Sequence, residues 1–236
     1  MGKHGQHRAL VAAAALAAMG SPAGAACRLA LALGFDVSRS VSAVDYGIQR
    51  DGLVAALSAP EIRAAFLKPE DRVAFALFEW SGVGYQETVV GWTLVEDAGG
   101  IDAIAAAIAA HVRGGEGQPT AIGAALVYGR DLLAERPECG SWTLDLSGDG
   151  RNNDGIGPER MYEREEFGDI VVNGLAIGGH EADIAEYYGG RVIRGPGAFV
   201  EVAHTHDGFP RAIRRKLERE LAERVLGQAA AGGGGG

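Results

Sequence analysis

Five oxygen-bearing side chains stand out by type and spacing in this 236-residue chain. Phe35-Asp36-Val37-Ser38-Arg39-Ser40 carries a carboxylate and two hydroxyls at alternate positions. Pro119-Thr120-Ala121 offers a third hydroxyl, and Ser147-Gly148-Asp149-Gly150 holds a second carboxylate in a glycine turn. Hydroxyls and carboxylates without thiolate or imidazole make a hard donor set, which suits a divalent cation such as magnesium. Three of the five are neutral and the acids could act partly through water, so the charge of such an ion would be incompletely offset and one position left open. A site of that kind favours an incoming carboxylate. Each segment alone also reads as local chemistry: Asp36 as a turn residue, Ser40 or Ser42 as a helix cap, Asp149 as a glycine-turn residue. Whether the five act together depends on the elements that carry them.

Continuous apolar runs bounded by turn residues alternate with helix-like stretches, the pattern of a mostly parallel sheet covered on both faces. The runs Leu29 to Phe35, Val73 to Phe78, Glu87 to Leu94, Trp142 to Ser147, Ile170 to Ile177 and a short one near Phe199 to Val202 read as strands. Helices are expected at about 42 to 58, 101 to 112, 121 to 135, 159 to 167, 182 to 188 and 208 to 226. Only Trp80-Ser81-Gly82-Val83-Gly84 separates the second and third strands, so they should form a hairpin with the third as an antiparallel edge strand. The expected fold is a three-layer, Rossmann-like, doubly wound α/β domain. Asp36 then leaves the C-terminal end of the first strand and Asp149 that of the fourth, and if those strands are neighbours the five residues converge where ligands sit in open α/β sheets. In the last helix Phe209, Ile213, Leu217, Leu221 and Val225 recur every four residues. Its basic residues read as a solvated face, with Glu220 and Arg224 as a favourable pair.

At these residues the sequence resembles the von Willebrand factor A domain, whose metal-ion-dependent adhesion site combines an Asp-x-Ser-x-Ser element, a distant Thr and a later Asp. The resemblance maps that site onto Asp36, Ser38, Ser40, Thr120 and Asp149 and covers about residues 27 to 226. Phe78-Glu79-Trp80-Ser81-Gly82, Trp92-Thr93, Asn152-Asn153 after the Asp149 turn, and Gly195-Pro196-Gly197-Ala198-Phe199 are similar to a bacterial exported branch of unknown function. What the resemblance implies is a divalent cation, magnesium first with manganese or calcium as alternatives. It also implies a protein partner whose acidic side chain completes the metal shell.

Composition narrows the classes further. With 47% apolar and 22% charged residues the chain is too apolar for wholesale disorder, and a net charge of -9 argues against a phosphate-reading surface, so no nucleic-acid partner is expected. Residues 1 to 25 carry Lys3, His4, His7 and Arg8, an apolar run from Ala9 to Met19 and the small residues Ala23-Gly24-Ala25, which together read as a signal peptide. The run is too short to span a bilayer, so no stable membrane span is expected. Cleavage after Ala25 would take the basic residues from 22 to 20 against 31 acids, net -11. The expected division is a signal peptide at 1–25, one domain at 26–228 and a disordered glycine-rich tail at 229–236, with the mature protein periplasmic or secreted. Small residues before Cys27 also fit lipid attachment, although Gly24 stands where Leu is usual.

Cys27 lies nine residues before Asp36, and Cys139 ten before Asp149. If the aspartates sit level on adjacent parallel strands, the cysteines are level at the other end to within about one residue, roughly 3 Å, on strands ~4.8 Å apart. A Cys27–Cys139 disulfide is expected, consistent with export.

Other residues tempt less. His204-Thr205-His206 would put two imidazoles on one face if extended, but without a third ligand it reads as a surface turn. Glu79 could orient a ligand water or pair locally, and Asn152-Asn153-Asp154 could line the rim or simply turn the chain. Ser38 lacks a nucleophile elbow. The expectation is a non-enzymatic protein-binding module. The alternatives are a metal-dependent phosphoesterase with Asp36 as nucleophile, in which Ser38 stands where such enzymes carry a second acid, and a structural domain that binds no metal.

Overall fold

A computed structural model describes residues 27–68 and 72–222. Six strands, β1 (Leu29–Asp36), β2 (Val73–Trp80), β3 (Gln86–Val95), β4 (Trp142–Gly148), β5 (Val171–Ile177) and β6 (Val200–Ala203), form one sheet in the order β3-β2-β1-β4-β5-β6. All neighbours are parallel except β2 and β3, so β3 is an antiparallel edge strand as the short connection requires. Among the described residues seven α-helices cover the sheet: α1 (Ala43–Ser58), α2 (Pro60–Phe66), α3 (Ala98–Ala110), α4 (Ile122–Ala134), α5 (Pro158–Arg164), α6 (Ile184–Tyr187) and α7 (Phe209–Ala222).

β1 and β2 are buried along their whole length, which is why they read as uninterrupted apolar runs. Alternation across β1 divides the core in two. Leu29, Leu31, Leu33 and Phe35 pack with Leu53 and Leu57 of α1, Ile101 and Ile104 of α3, and Ile213 and Leu217 of α7. Ala30 and Ala32 face the other way, towards Ile122 and Leu126 of α4 and Leu144 and Leu146 of β4. These are the three layers of the expected fold.

Local signals start the helices that flank the site. Ser42 caps α1, its Oγ accepting from Asp45 N at 3.1 Å while the Asp45 carboxylate accepts from Ser42 N at 3.3 Å, a reciprocal capping box. Asp97 accepts from Gly100 N at 3.0 Å and starts α3 three residues earlier than the apolar pattern suggests.

Three details differ from the sequence expectations. The short helix α2 was not anticipated, although Pro60 stands at its first position. The segment expected as one helix at 182 to 188 is a single α turn continued by a π turn at Tyr188–Val192. The basic face of α7 is not wholly solvated: Lys216 is fully buried, its Nζ 3.1 Å from Asp145 Oδ1 and 2.9 Å from Glu220 Oε1. Glu220 thus pairs with Lys216, and also accepts from Asn173 Nδ2 at 2.8 Å. Arg224, Val225 and the segments read as a signal peptide at 1–25 and as a tail at 229–236 lie outside the described residues. Among the described residues no helix is long and apolar enough to cross a membrane.

At the bottom of the sheet Cys27 and Cys139 form a parallel bridge just ahead of β1 and β4 and are joined by a disulfide, with Cα atoms 4.6 Å apart. At the top, Phe35 pairs with Ser147, so Asp36 and Asp149 leave their strands within one residue of level.

Candidate metal centre

Strand β1 has neighbours on both sides, and the chain turns outward in opposite directions from β1 and β4. Their C-terminal ends therefore bound the crevice where α/β sheets bind ligands. The structure brings all five sequence-derived residues to that crevice. Thr120 Oγ1 donates to Ser38 Oγ at 3.1 Å, the Ser38 and Ser40 hydroxyls lie 3.3 Å apart, and Ser40 Oγ donates to Asp149 Oδ1 at 2.5 Å. Asp36 Oδ1 accepts from Ser38 N at 2.7 Å, which folds the loop over the strand end. Asp36, Ser38, Thr120 and Asp149 are buried, and Ser40 is partly exposed at the mouth.

The surroundings hold this geometry. Arg113 Nη2 donates to the carbonyls of Val37 and Ser38 at 2.8 and 3.2 Å, pinning the Asp36–Ser40 loop. Thr120 N donates to Asn153 Oδ1 at 2.8 Å, while the Thr120 carbonyl accepts from Asn153 N and Asp154 N at 2.9 and 3.2 Å. Asn152 Oδ1 takes Gly123 N at 3.2 Å. Asn152 and Asn153 thus fasten the Thr120 loop to the turn after β4. Glu79 pairs locally, accepting from Tyr46 Oη at 2.6 Å and lying 3.2 Å from His111 Nε2. Gly148 is required where it stands, since a Cβ there would lie 2.9 Å from Asp36 Oδ2 and 2.4 Å from the Tyr188 hydroxyl.

The electrostatics call for positive charge. Asp36 Oδ2 and Asp149 Oδ2 are both buried without a hydrogen-bond partner. Burial first, and the charge of Asp149 second, push the Asp36 carboxyl up to about 7 against the pull of its Ser38 hydrogen bonds. Two buried carboxylates this close with free oxygens are costly unless a cation offsets them. The donor set fits a divalent ion: three hydroxyls and two carboxylates, all oxygen.

Two further residues reach the site that the sequence did not assign to it. His206 is buried rather than part of a surface turn, and its Nε2 lies 3.8 Å from Asp149 Oδ2; His180 Nε2 lies at the same distance from the same oxygen. His204 is exposed, so it does not pair with His206 on one face. The signal available in the sequence was position: His180 and His206 each stand three residues past the ends of β5 and β6, at the same edge of the sheet as the aspartates.

The sheet and its two helical layers share their fold with solved structures that include a von Willebrand factor A-type protein. Proximal thread matrix protein 1 (PTMP1) from the mussel byssus matches with a TM-score of 0.61 at 18% identity, covering 84% of this chain and 47% of that one. A structure of the same protein with a zinc-occupied MIDAS motif matches with a TM-score of 0.60 at 19% identity and the same coverage. The von Willebrand factor type A protein from Catenulispora acidiphila gives 0.57 at 15% identity, covering 83% of this chain and 43% of that one. The pilus adhesin SpaC from Lactobacillus rhamnosus GG, in its open conformation, gives 0.57 at 15% identity, covering 83% and 30%. This chain spans less than half the length of each of these structures. Within the fold class, the chain belongs to the family described as protein of unknown function DUF1194, whose model matches residues 26–225. No curated protein sequence matches the chain.

Proposed function

We propose that this protein is an exported, non-enzymatic binding module that holds a divalent cation on Asp36, Ser38, Ser40, Thr120 and Asp149 and engages an acidic group of a protein partner. The observation that carries the reading is the continuous hydroxyl and carboxylate chain from Thr120 to Asp149, beside two buried carboxylate oxygens without partners. Ser38, Ser40 and Thr120 would ligate the ion, with Asp36 and Asp149 ligating it or holding its waters. The bound cation would supply a Lewis-acidic position for one carboxylate oxygen of the partner. Magnesium suits an all-oxygen set, and the zinc in the mussel matrix protein's MIDAS motif supports a divalent ion of some kind.

Matrix and pilus-adhesin relatives support a role in protein interaction outside the cytoplasm, and the Cys27–Cys139 disulfide fits an oxidising compartment. The proposed division remains a signal peptide at 1–25, a domain at 26–228 and a tail at 229–236. Ser38 stands two residues after Asp36, where a phosphoesterase of this layout needs an acid, which speaks against hydrolysis.

The test is capture from a cell-envelope extract by the immobilised protein, with magnesium, with chelator and with Asp36→Ala. The reading expects a partner retained only by wild type with the ion. An identical set of retained proteins in all three arms would overturn it.

A further inference from the structure

We infer that His206 adds an imidazole nitrogen to the oxygen donors of the metal centre, so that the ion preferred there is a borderline transition-metal ion, zinc foremost, over magnesium. This rests on the five-residue cation site proposed above and concerns which ion that site selects.

His206 opens a 3-10 turn, His206–Gly208, between β6 and α7. Its side chain is only 8% exposed, and its Nε2 has no hydrogen-bond partner. That nitrogen faces Asp149 Oδ2, also buried and unpartnered, at 3.8 Å. A protonated Nε2 bonded to a carboxylate would close to about 2.8 Å. The wider gap leaves both buried atoms unsatisfied, which is costly in the absence of an ion. It is also a few tenths of an ångström wider than the about 3.4 Å between two ligand atoms of a tetrahedral zinc ion, so a small side-chain movement would bring both onto one ion.

The other ring nitrogen faces a second carboxylate. Nδ1 lies 3.5 Å from Asp45 Oδ1, and Asp45 is itself held by the Ser42 capping box at the start of α1. With its Nδ1 proton turned towards Asp45, the ring would offer its Nε2 lone pair to an ion beside Asp149, the arrangement that orients metal-ligating histidines.

His180 approaches the same Asp149 oxygen at 3.8 Å but is 56% exposed, on the turn after Gly178 and Gly179. His206, buried and with an unpartnered Nε2, is therefore the added donor, and the exposed His180 stands at the rim. Asp45, His180, His206 and Asp207 line an open cleft of about 240 Å³ that gives water or a ligand access from this side.

Hard magnesium takes oxygen donors and keeps its waters, whereas imidazole favours zinc and its neighbours in the transition series. One imidazole in an otherwise all-oxygen set therefore shifts selectivity without dismantling the site.

The test is calorimetric titration of the full chain with zinc and, separately, with magnesium, for wild type, His206→Ala, Asp45→Asn, His204→Ala and Asp36→Ala, each checked for folding by circular dichroism. Wild type should bind one zinc ion more tightly than magnesium, and the zinc-to-magnesium affinity ratio should fall at least about tenfold in His206→Ala and Asp45→Asn. The ratio should be unchanged in His204→Ala, which removes an exposed imidazole. A wild type without zinc preference, or a ratio unmoved by His206→Ala, overturns the inference. Loss of both metals in Asp36→Ala alongside an unmoved ratio in His206→Ala would overturn it while leaving the five-residue site standing. Both metals binding normally to Asp36→Ala would instead overturn the site itself.

Discussion

The Ser40 hydroxyl donates to Asp149 Oδ1 at 2.5 Å and so joins the loop after β1 to the turn after β4, across 109 positions of sequence. Ser40 is the partly exposed member of the cluster, while Asp149 is fully buried. The contact therefore marks where the buried carboxylates open to solvent and where an ion would enter. Ser40→Ala removes a proposed ligand and leaves the buried Asp149 Oδ1 without its donor. It should weaken cation affinity by about tenfold or more, about 1.4 kcal/mol, and lower the melting temperature of the chelated protein, since a lost partner of a buried acceptor costs about 1–3 kcal/mol. Calorimetry and a thermal melt on the same sample check both parts.

The disulfide ties the opposite end of the same two strands. Cys27 and Cys139 are separated by 112 positions, so opening the bridge releases a long loop in the unfolded chain. Cys27→Ala with Cys139→Ala should cost about 2–5 kcal/mol of stability, read from urea denaturation with and without reductant on wild type. Reductant should destabilise wild type by a comparable amount and leave the double variant unmoved.

Buried Lys216 serves two carboxylates, Asp145 and Glu220. Lys216→Met strands both acids in the core and should cost about 3–5 kcal/mol. Adding Asp145→Asn and Glu220→Gln to that variant should restore a large part of the loss, because the unpaired charges are then gone. Chemical denaturation of the single and triple variants measures the recovery.

The same cluster should make stability depend on pH. Burial first, with Lys216 pulling down and Glu220 pushing up, raises the Asp145 carboxyl from 3.8 to about 7. Between those values the folded protein holds a proton that the unfolded chain has released, so the contribution is full below about pH 4 and is lost as pH rises through about 7. Asp145→Asn should flatten this part of the stability profile between pH 4 and 7. An unchanged slope in the variant would assign the proton elsewhere.

The sheet was legible because its strands carry plain signals. β1 and β2 are buried on both faces and read as apolar runs, and the short turn from Trp80 to Gly84 forces β3 to be antiparallel. The meeting of Asp36 and Asp149 was legible because they lie at the ends of β1 and β4 with offsets that match those of Cys27 and Cys139, a relation the β1–β4 register preserves. Lys216 was misread because helix periodicity marks which face is apolar and gives no sign of a cation paired inside that face. His206 was misread because its ring turns inward only once the 3-10 turn is built before α7, a placement set by tertiary packing that local spacing does not encode. α2 was missed because its seven residues are too few for a periodic signal.

If Asp36 and its four partners hold one divalent cation, equilibrium dialysis of manganese against wild type and Asp36→Ala will register it. Wild type should bind one ion per chain and Asp36→Ala none above background, with superimposable circular dichroism spectra for the two. Equal manganese binding by the two proteins, or none by folded wild type, would contradict that site.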